Sequence, residues 1–255
     1  MRSLLVSIFG FPATLIHLDT LVLDRWLWLR NNLPPVPHGS KRLIDIGCGT
    51  GAFTIGAALR GYDALGLSFN ERNQKVAAER ARMCKAPLAR FEVLDVRQLD
   101  QRRDLYHNFD VGICCETIEH ILNDTKLMMD ISRCLRPGGS LLLTSPNYHY
   151  RPITKYDAGP FLPVEDGAHV RRGYTPERLQ ELCRESGLKA GKIGYCSGFL
   201  SQKITGLQRV VARMHYLAGW AVILPLRVLP PLVDPAISPL VHWPGYSITL
   251  VANKV

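Results

Sequence analysis

Between Lys41 and Thr144 short strand-type runs alternate with helical stretches, and this order limits the fold more than any other feature of the chain. Residues 43–46 read as a buried strand, 47–51 as a tight turn and 52–59 as a helix. A second strand follows at 62–67, then a charged amphipathic helix at 70–84, a third strand at 90–94 and a fourth at 109–114. A helix from about 119 to 135 stops at Pro137-Gly138-Gly139, and 140–144 form the fifth strand. Parallel strands need crossover connections, and helices used as crossovers cover both faces of the sheet. The expected fold is therefore α/β, a doubly wound and mostly parallel sheet. Its ligands belong at the carboxyl ends of the strands.

After the fifth strand the rhythm breaks. Residues 146–174 hold four prolines, two histidines and five tyrosines or phenylalanines; a loop of this length and aromatic content predicts a lid or substrate wall. Thr175, Pro176 and Glu177 signal a new helix start, and Gly187 its end. Strands near 192–196 and 246–251 would complete the sheet. Residues 1–40 read as an amphipathic cap and a proline-rich linker (31–40), ahead of one domain over 41–255. That domain carries the lid and an apolar insertion at about 205–243. Within the insertion, 214–226 has no formal charge yet falls short of the roughly 20 residues that span a bilayer. Lys203, Arg209 and Arg213 precede it and Arg227 follows, the pattern of an in-plane membrane contact. A helix packed on the domain or in a dimer is the competing reading.

Composition excludes a disordered tail, a collagen-like repeat and a disulfide-stapled module: 47% of the 255 residues are hydrophobic and 21% charged. A net charge of +9 suits an anionic membrane surface, nucleic acid or an acidic substrate, and equally a surface kept soluble by charge. The seven cysteines form no C-x-x-C pair, which points to a reducing, cytoplasmic compartment. Pro12 interrupts the apolar N-terminal run, so it reads as a capping or membrane-touching segment rather than a cleaved leader.

The stretch Leu43-Ile44-Asp45-Ile46-Gly47-Cys48-Gly49-Thr50-Gly51 carries the chemistry. Alternate glycines let backbone turn sharply and approach a ligand. Gly47, Gly49 and Ala52 also satisfy the dinucleotide pattern G-x-G-x-x-G/A. Asp45 decides between the two, since a carboxylate before the turn repels a pyrophosphate but accepts hydrogen bonds from an ammonium group. Adenosine joined to an amino acid fits.

The segment resembles motif I of class I S-adenosylmethionine (SAM)-dependent methyltransferases. The similarity extends from about Lys41 to Asn147, through Phe91-Glu92-Val93-Leu94-Asp95-Val96 at the third strand, Phe109 to Glu116 at the fourth, and Leu135-Arg136-Pro137-Gly138-Gly139 before the fifth. The resemblance implies a seven-stranded sheet whose final pair includes one antiparallel strand, and SAM as cofactor. It puts Asp45, Gly47, Cys48, Gly49, Gly51, Ser68, Asn70, Asp95, Val96 and Cys115 around that cofactor, with Asp95 accepting from the adenine amine. One departure stands out: Ser68 occupies the position where the family usually has a ribose-gripping carboxylate. A hydroxyl cannot hold both ribose hydroxyls as a carboxylate does, and Asn70 is placed to assist.

Methyl transfer from a sulfonium requires the protein to align acceptor and methyl and to exclude water. An oxygen acceptor also needs a base, for which His149 and His169 are the candidates. Glu116, Glu119 and His120 form E-x-x-E-H, similar to O-methyltransferases of ubiquinone synthesis in which such residues have been associated with a divalent cation. Read as a helix start, the carboxylates are explained by the helix dipole, so no metal is assigned. The expectation is a methyltransferase of a small, apolar or lipid-linked acceptor, working at a membrane face, with no nucleic-acid partner. An RNA methyltransferase using the basic surface, and a non-catalytic binding subunit on the same fold, are the rivals.

Overall fold

The computed structural model describes residues 2–15, 21–36, 41–215, 219, 221 and 223–255. Three helices lead: α1 (Arg2–Phe9), α2 (Pro12–Leu15) and α3 (Leu21–Asn32). The alternating part runs β1 (Arg42–Ile46), α4 (Ala52–Ala58), β2 (Asp63–Ser68), α5 (Glu71–Met83), β3 (Ala89–Val93), β4 (Phe109–Cys115), α6 (Asp124–Cys134) and β5 (Leu135–Pro146). Then come α7 (Pro176–Glu185), β6 (Leu188–Cys196), α8 (Phe199–Met214), α9 (Leu229–Leu240) and β7 (Ser247–Lys254).

The strands form one sheet in the order β3-β2-β1-β4-β5-β7-β6. Only β7 is antiparallel to its neighbours, as the resemblance implied. The chain winds outward from β1 in one direction to β3 and in the other through β4, so the crevice opens at the carboxyl ends of β1 and β4. Period-two alternation fills both faces. Leu43 packs with Trp26, Leu29 and Ile55, whereas Ile44 and Ile46 pack with Leu127, Met128 and Ile131.

Local chemistry sets the helix starts. The Asn73 N–H donates to Asn70 Oδ1 at 3.0 Å, and the Arg178 N–H to Thr175 Oγ1 at 3.3 Å with Pro176 in the first turn, both side-chain N-caps. The expected helix over 119–135 starts later, at Asp124, with Asn123 as its cap. Glu116 has a φ of 51° and Ile118–His120 form a single 3-10 turn, which separates E-x-x-E-H from α6. Strand β5 begins at Leu135 rather than Ser140, with Pro137-Gly138-Gly139 absorbed in a register shift opposite Phe109 and Val111.

Helix α3 belongs to the core. Trp26 stacks on Phe53 at 6.4 Å, meets Phe11 edge-on at 5.1 Å and fills the space a side chain at Gly56 would need. The loop over 146–174 is stapled at its base: Asn147 bridges Tyr174, and the Tyr174 N–H donates to the Pro146 carbonyl at 2.9 Å. Asp234 of α9 caps α8 by accepting from the Leu200 and Ser201 N–H groups at 2.6 and 3.0 Å. Residues 37–40 of the expected linker, and 216–218, 220 and 222 of the apolar run, lie outside the described residues. Among the described residues no helix is long and apolar enough to cross a membrane.

Candidate active site

At the end of β1, Asp45 is buried and accepts a 2.7 Å hydrogen bond from Thr54 Oγ1. Burial pushes its carboxyl up to about 7 against that hydrogen bond. Two glycines of the following turn are required for different reasons. Gly47 (φ 79°) lies against Thr117, whose side chain a Cβ would strike, while Gly49 (φ 53°) faces open space. Backbone at Gly49 is thus bare toward the crevice, as a closely approaching ligand needs. Gly51 caps α4. Cys48 is half-buried with Sγ 3.7 Å from Gln74 Oε1, and burial raises its thiol. A buried carboxylate beside a glycine turn fits an ammonium-bearing nucleoside.

Along the same edge, Ser68 Oγ accepts from the Asn70 N–H at 3.3 Å. The Asn70 amide oxygen accepts the cap hydrogen bond, which leaves its second lone pair and the amide nitrogen for a ribose. Asp95 lies beyond β3 and is gripped by Arg97, whose Nε donates to both carboxylate oxygens at 2.9 Å. That pairing lowers its pKa. Arg97 also reaches Glu165 of the 146–174 loop at 2.7 Å. Val96 and Cys115 are buried at the ends of their turns and strands.

The end of β4 builds a second cluster. Glu116, held in the left-handed region that costs a non-glycine residue energy, pairs with Arg25 of α3 at 2.9 Å and accepts from Thr144 and Ser247 at 3.0 and 3.1 Å. Glu119 is fully buried. Its Oε2 accepts from Ser145 at 3.1 Å, and its Oε1 has no hydrogen-bond partner among the described residues. Burial and the Glu116 charge raise its pKa. His169 Nε2 lies 3.9 Å from that oxygen, and the His169 ring meets His120 edge-on at 4.7 Å. Burial, then the neighbouring His120, pushes His169 down to about 4. Glu119, His120 and His169 offer ligand atoms within 4.8 Å of one another. The helix dipole does not explain these carboxylates, because they precede α6 and face inward. An orphaned carboxylate oxygen between two imidazoles is a donor set that fits a divalent cation.

His149 lies apart from this cluster. It is exposed and edge-on to Tyr148 at 5.3 Å, with its backbone N–H donating to Asn147 Oδ1 at 3.1 Å. Arg171 of the 146–174 loop clamps Asp124, Tyr174 and the carbonyls of Ile121 and Leu122. Arg25 was absent from the sequence reading. A single cation inside the apolar run Leu21-Val22-Leu23-Asp24-Arg25-Trp26-Leu27-Trp28-Leu29 is the signal that could have found it.

The sequence profile of the methyltransferase-domain family matches residues 22–191. The chain belongs to this family. The ubiquinone biosynthesis O-methyltransferase of Leptothrix cholodnii is 27% identical over 153 residues, 58% of this chain and 63% of that enzyme. The match therefore spans less than two thirds of the relative. A geranyl diphosphate methyltransferase solved with SAM has a TM-score of 0.61 at 16% identity, covering 91% of this chain and 84% of its own. A [4+2]-cyclase has a TM-score of 0.58 at 20% identity, covering 85% and 76%. The methyltransferase-family chain thus shares its fold with a cyclase as well, so the fold alone does not assign the reaction. Its family membership supplies SAM as the cofactor.

Proposed function

We propose that this protein transfers the SAM methyl group by in-line displacement to a small, apolar or lipid-linked acceptor at a membrane face. The observation that carries the reading is the buried Asp45 carboxylate beside the bare turn at Gly49, one strand away from the Glu116–Glu119 cluster. SAM supplies an activated methyl carbon on a sulfonium. Asp45 takes the ammonium, Gly47 to Gly51 let the backbone approach, Ser68 and the Asn70 amide hold the ribose, and Asp95 with Val96 meets the adenine. Cys48 and Cys115 line the pocket.

On the acceptor side, His169, with Nε2 3.9 Å from Glu119 Oε1, takes the proton of a hydroxyl acceptor. Burial keeps the His169 imidazole neutral and open to a proton, and its lowered pKa makes it a weaker base than a free imidazole. The orphaned Glu119 Oε1 favours a second reading, in which Glu119, His120 and His169 hold a divalent cation that would polarise an acceptor oxygen. The 146–174 loop acts as a wall, with Tyr150 and Tyr246 (ring centroids 4.9 Å apart) and Leu21 forming an apolar cluster that suits an apolar acceptor.

Titration calorimetry with SAM tests the cofactor half, and absence of binding at millimolar SAM overturns it. Incubation of cell extract with methyl-labelled SAM tests the rest: label in a lipid or phenol supports the reading, and label only in RNA replaces it. Metal analysis of protein purified without chelator separates the two roles of the cluster.

A further inference from the structure

Helix α8 is amphipathic the wrong way round for a helix facing water. Of its five buried residues four are polar: Ser201, Gln202, Thr205 and Gln208, beside Ile204. These are satisfied internally, Gln202 donating to the Ser197 and Pro244 carbonyls and accepting from Trp243 Nε1. The opposite face, with helical spacing 207, 210 and 214, presents Leu207, Val210 (56% exposed) and Met214 (78%). Helix α9, packed against α8, repeats the inversion. It buries Asp234 as the α8 cap and exposes Leu232 and Leu240 at 77% and 78%. Two neighbouring helices that bury hydroxyls and carboxamides while exposing leucine, valine and methionine are built for apolar surroundings on their outer side.

The edge of this face says which surroundings. Lys203 lies on the exposed side of α8, with Nζ 4.5 Å from the Trp243 ring centroid. Arg151, from the 146–174 loop, lies over the same ring at 4.3 Å. Among the described residues neither cation has a carboxylate partner. A tryptophan flanked by two unpaired cations beside exposed aliphatic residues matches the polar boundary of a bilayer carrying anionic lipid. A second copy of the chain would bring the same two cations and a further +9 charges, so it is the poorer occupant.

We propose that the outer faces of α8 and α9 dock on an anionic bilayer surface, with Lys203 and Arg151 against lipid phosphates. This deepens the reading of a lipid-linked acceptor, yet it stands on residues outside the cofactor cleft and is measured without acceptor. The test is flotation with phosphatidylcholine vesicles, with and without phosphatidylglycerol, alongside SAM titration of every variant. The full chain is expected to float only with phosphatidylglycerol and to be released by salt. Lys203→Gln and Arg151→Gln should each weaken partitioning about fivefold, and Val210→Glu with Met214→Glu should abolish it, with SAM affinity unchanged throughout. Failure of the cofactor reading would appear as flotation without SAM binding. No flotation, or flotation indifferent to Val210→Glu with Met214→Glu, overturns the proposal. So does a dimer dissolved by that pair of substitutions in a chain that never floats.

Discussion

Asp45 gives the proposed cofactor site a pH signature. Burial holds its carboxyl near 7, against an ordinary 3.8, so the folded apoprotein keeps a proton that the unfolded chain has lost. Its stability should therefore fall as pH rises from about 4 to 7. SAM binding has the opposite sign, because the ammonium needs the carboxylate. Affinity should drop about tenfold per pH unit below 7 and level off above it. Calorimetry in buffers of differing ionisation enthalpy should detect the proton released on binding at pH 6. Asp45→Asn, which removes a charge-assisted hydrogen bond, should weaken SAM by about 10- to 100-fold. At the acceptor side, His169→Ala should lower kcat on a hydroxyl acceptor by about 100-fold or more with SAM affinity intact. The exposed His149→Ala should change kcat by about twofold at most. Asp45 and the glycines were legible because their chemistry is local, contained in nine consecutive residues. Arg25 was not: its partners are Glu116 and a Ser247 that lies 222 residues away, and no local pattern encodes such a contact.

At the scale of elements, caps and periodicity read correctly wherever side chains near in sequence decide the outcome. Thr175 before Pro176 starts α7 as its spacing indicates, and Thr175→Ala should cost about 1 kcal/mol in urea unfolding. The start of α6 was misplaced because acidic residues before a helical stretch look like a first turn. What delays the helix is the left-handed backbone at Glu116 and the inward turn of Glu119, set by Arg25, Thr144 and Ser145 from other elements. Helix α3 makes the same point from the other side. Its apolar run reads as a segment that caps a core or touches a membrane, and Trp26 fills a socket formed by Phe11, Phe53 and Gly56. Trp26→Ala should destabilise the whole domain by about 3–5 kcal/mol, seen as a single shifted denaturation transition rather than the loss of an independent N-terminal unit.

For the molecule as a whole, strand-helix alternation was enough to give the layered architecture, and the antiparallel final strand came from resemblance. A ligand that holds two strand ends together stabilises the folded state by mass action. SAM at about a hundredfold excess over its Kd should add about 2.7 kcal/mol and raise Tm by roughly 5–10 °C; a thermal scan with no shift would count against a formed cleft. The sheet order has a consequence for biosynthesis. Strand β7 follows all the other strands in the chain, yet it sits inside the sheet between β5 and β6 and carries Ser247 to Glu116 and Arg25. Until β7 is made, β6 has no neighbour to pair with, and Glu116 and Arg25 lack their Ser247 partner. The nascent chain must hold an unfinished edge until β7 emerges, so pauses or nicks ahead of Ser247 should yield aggregation rather than a smaller working enzyme.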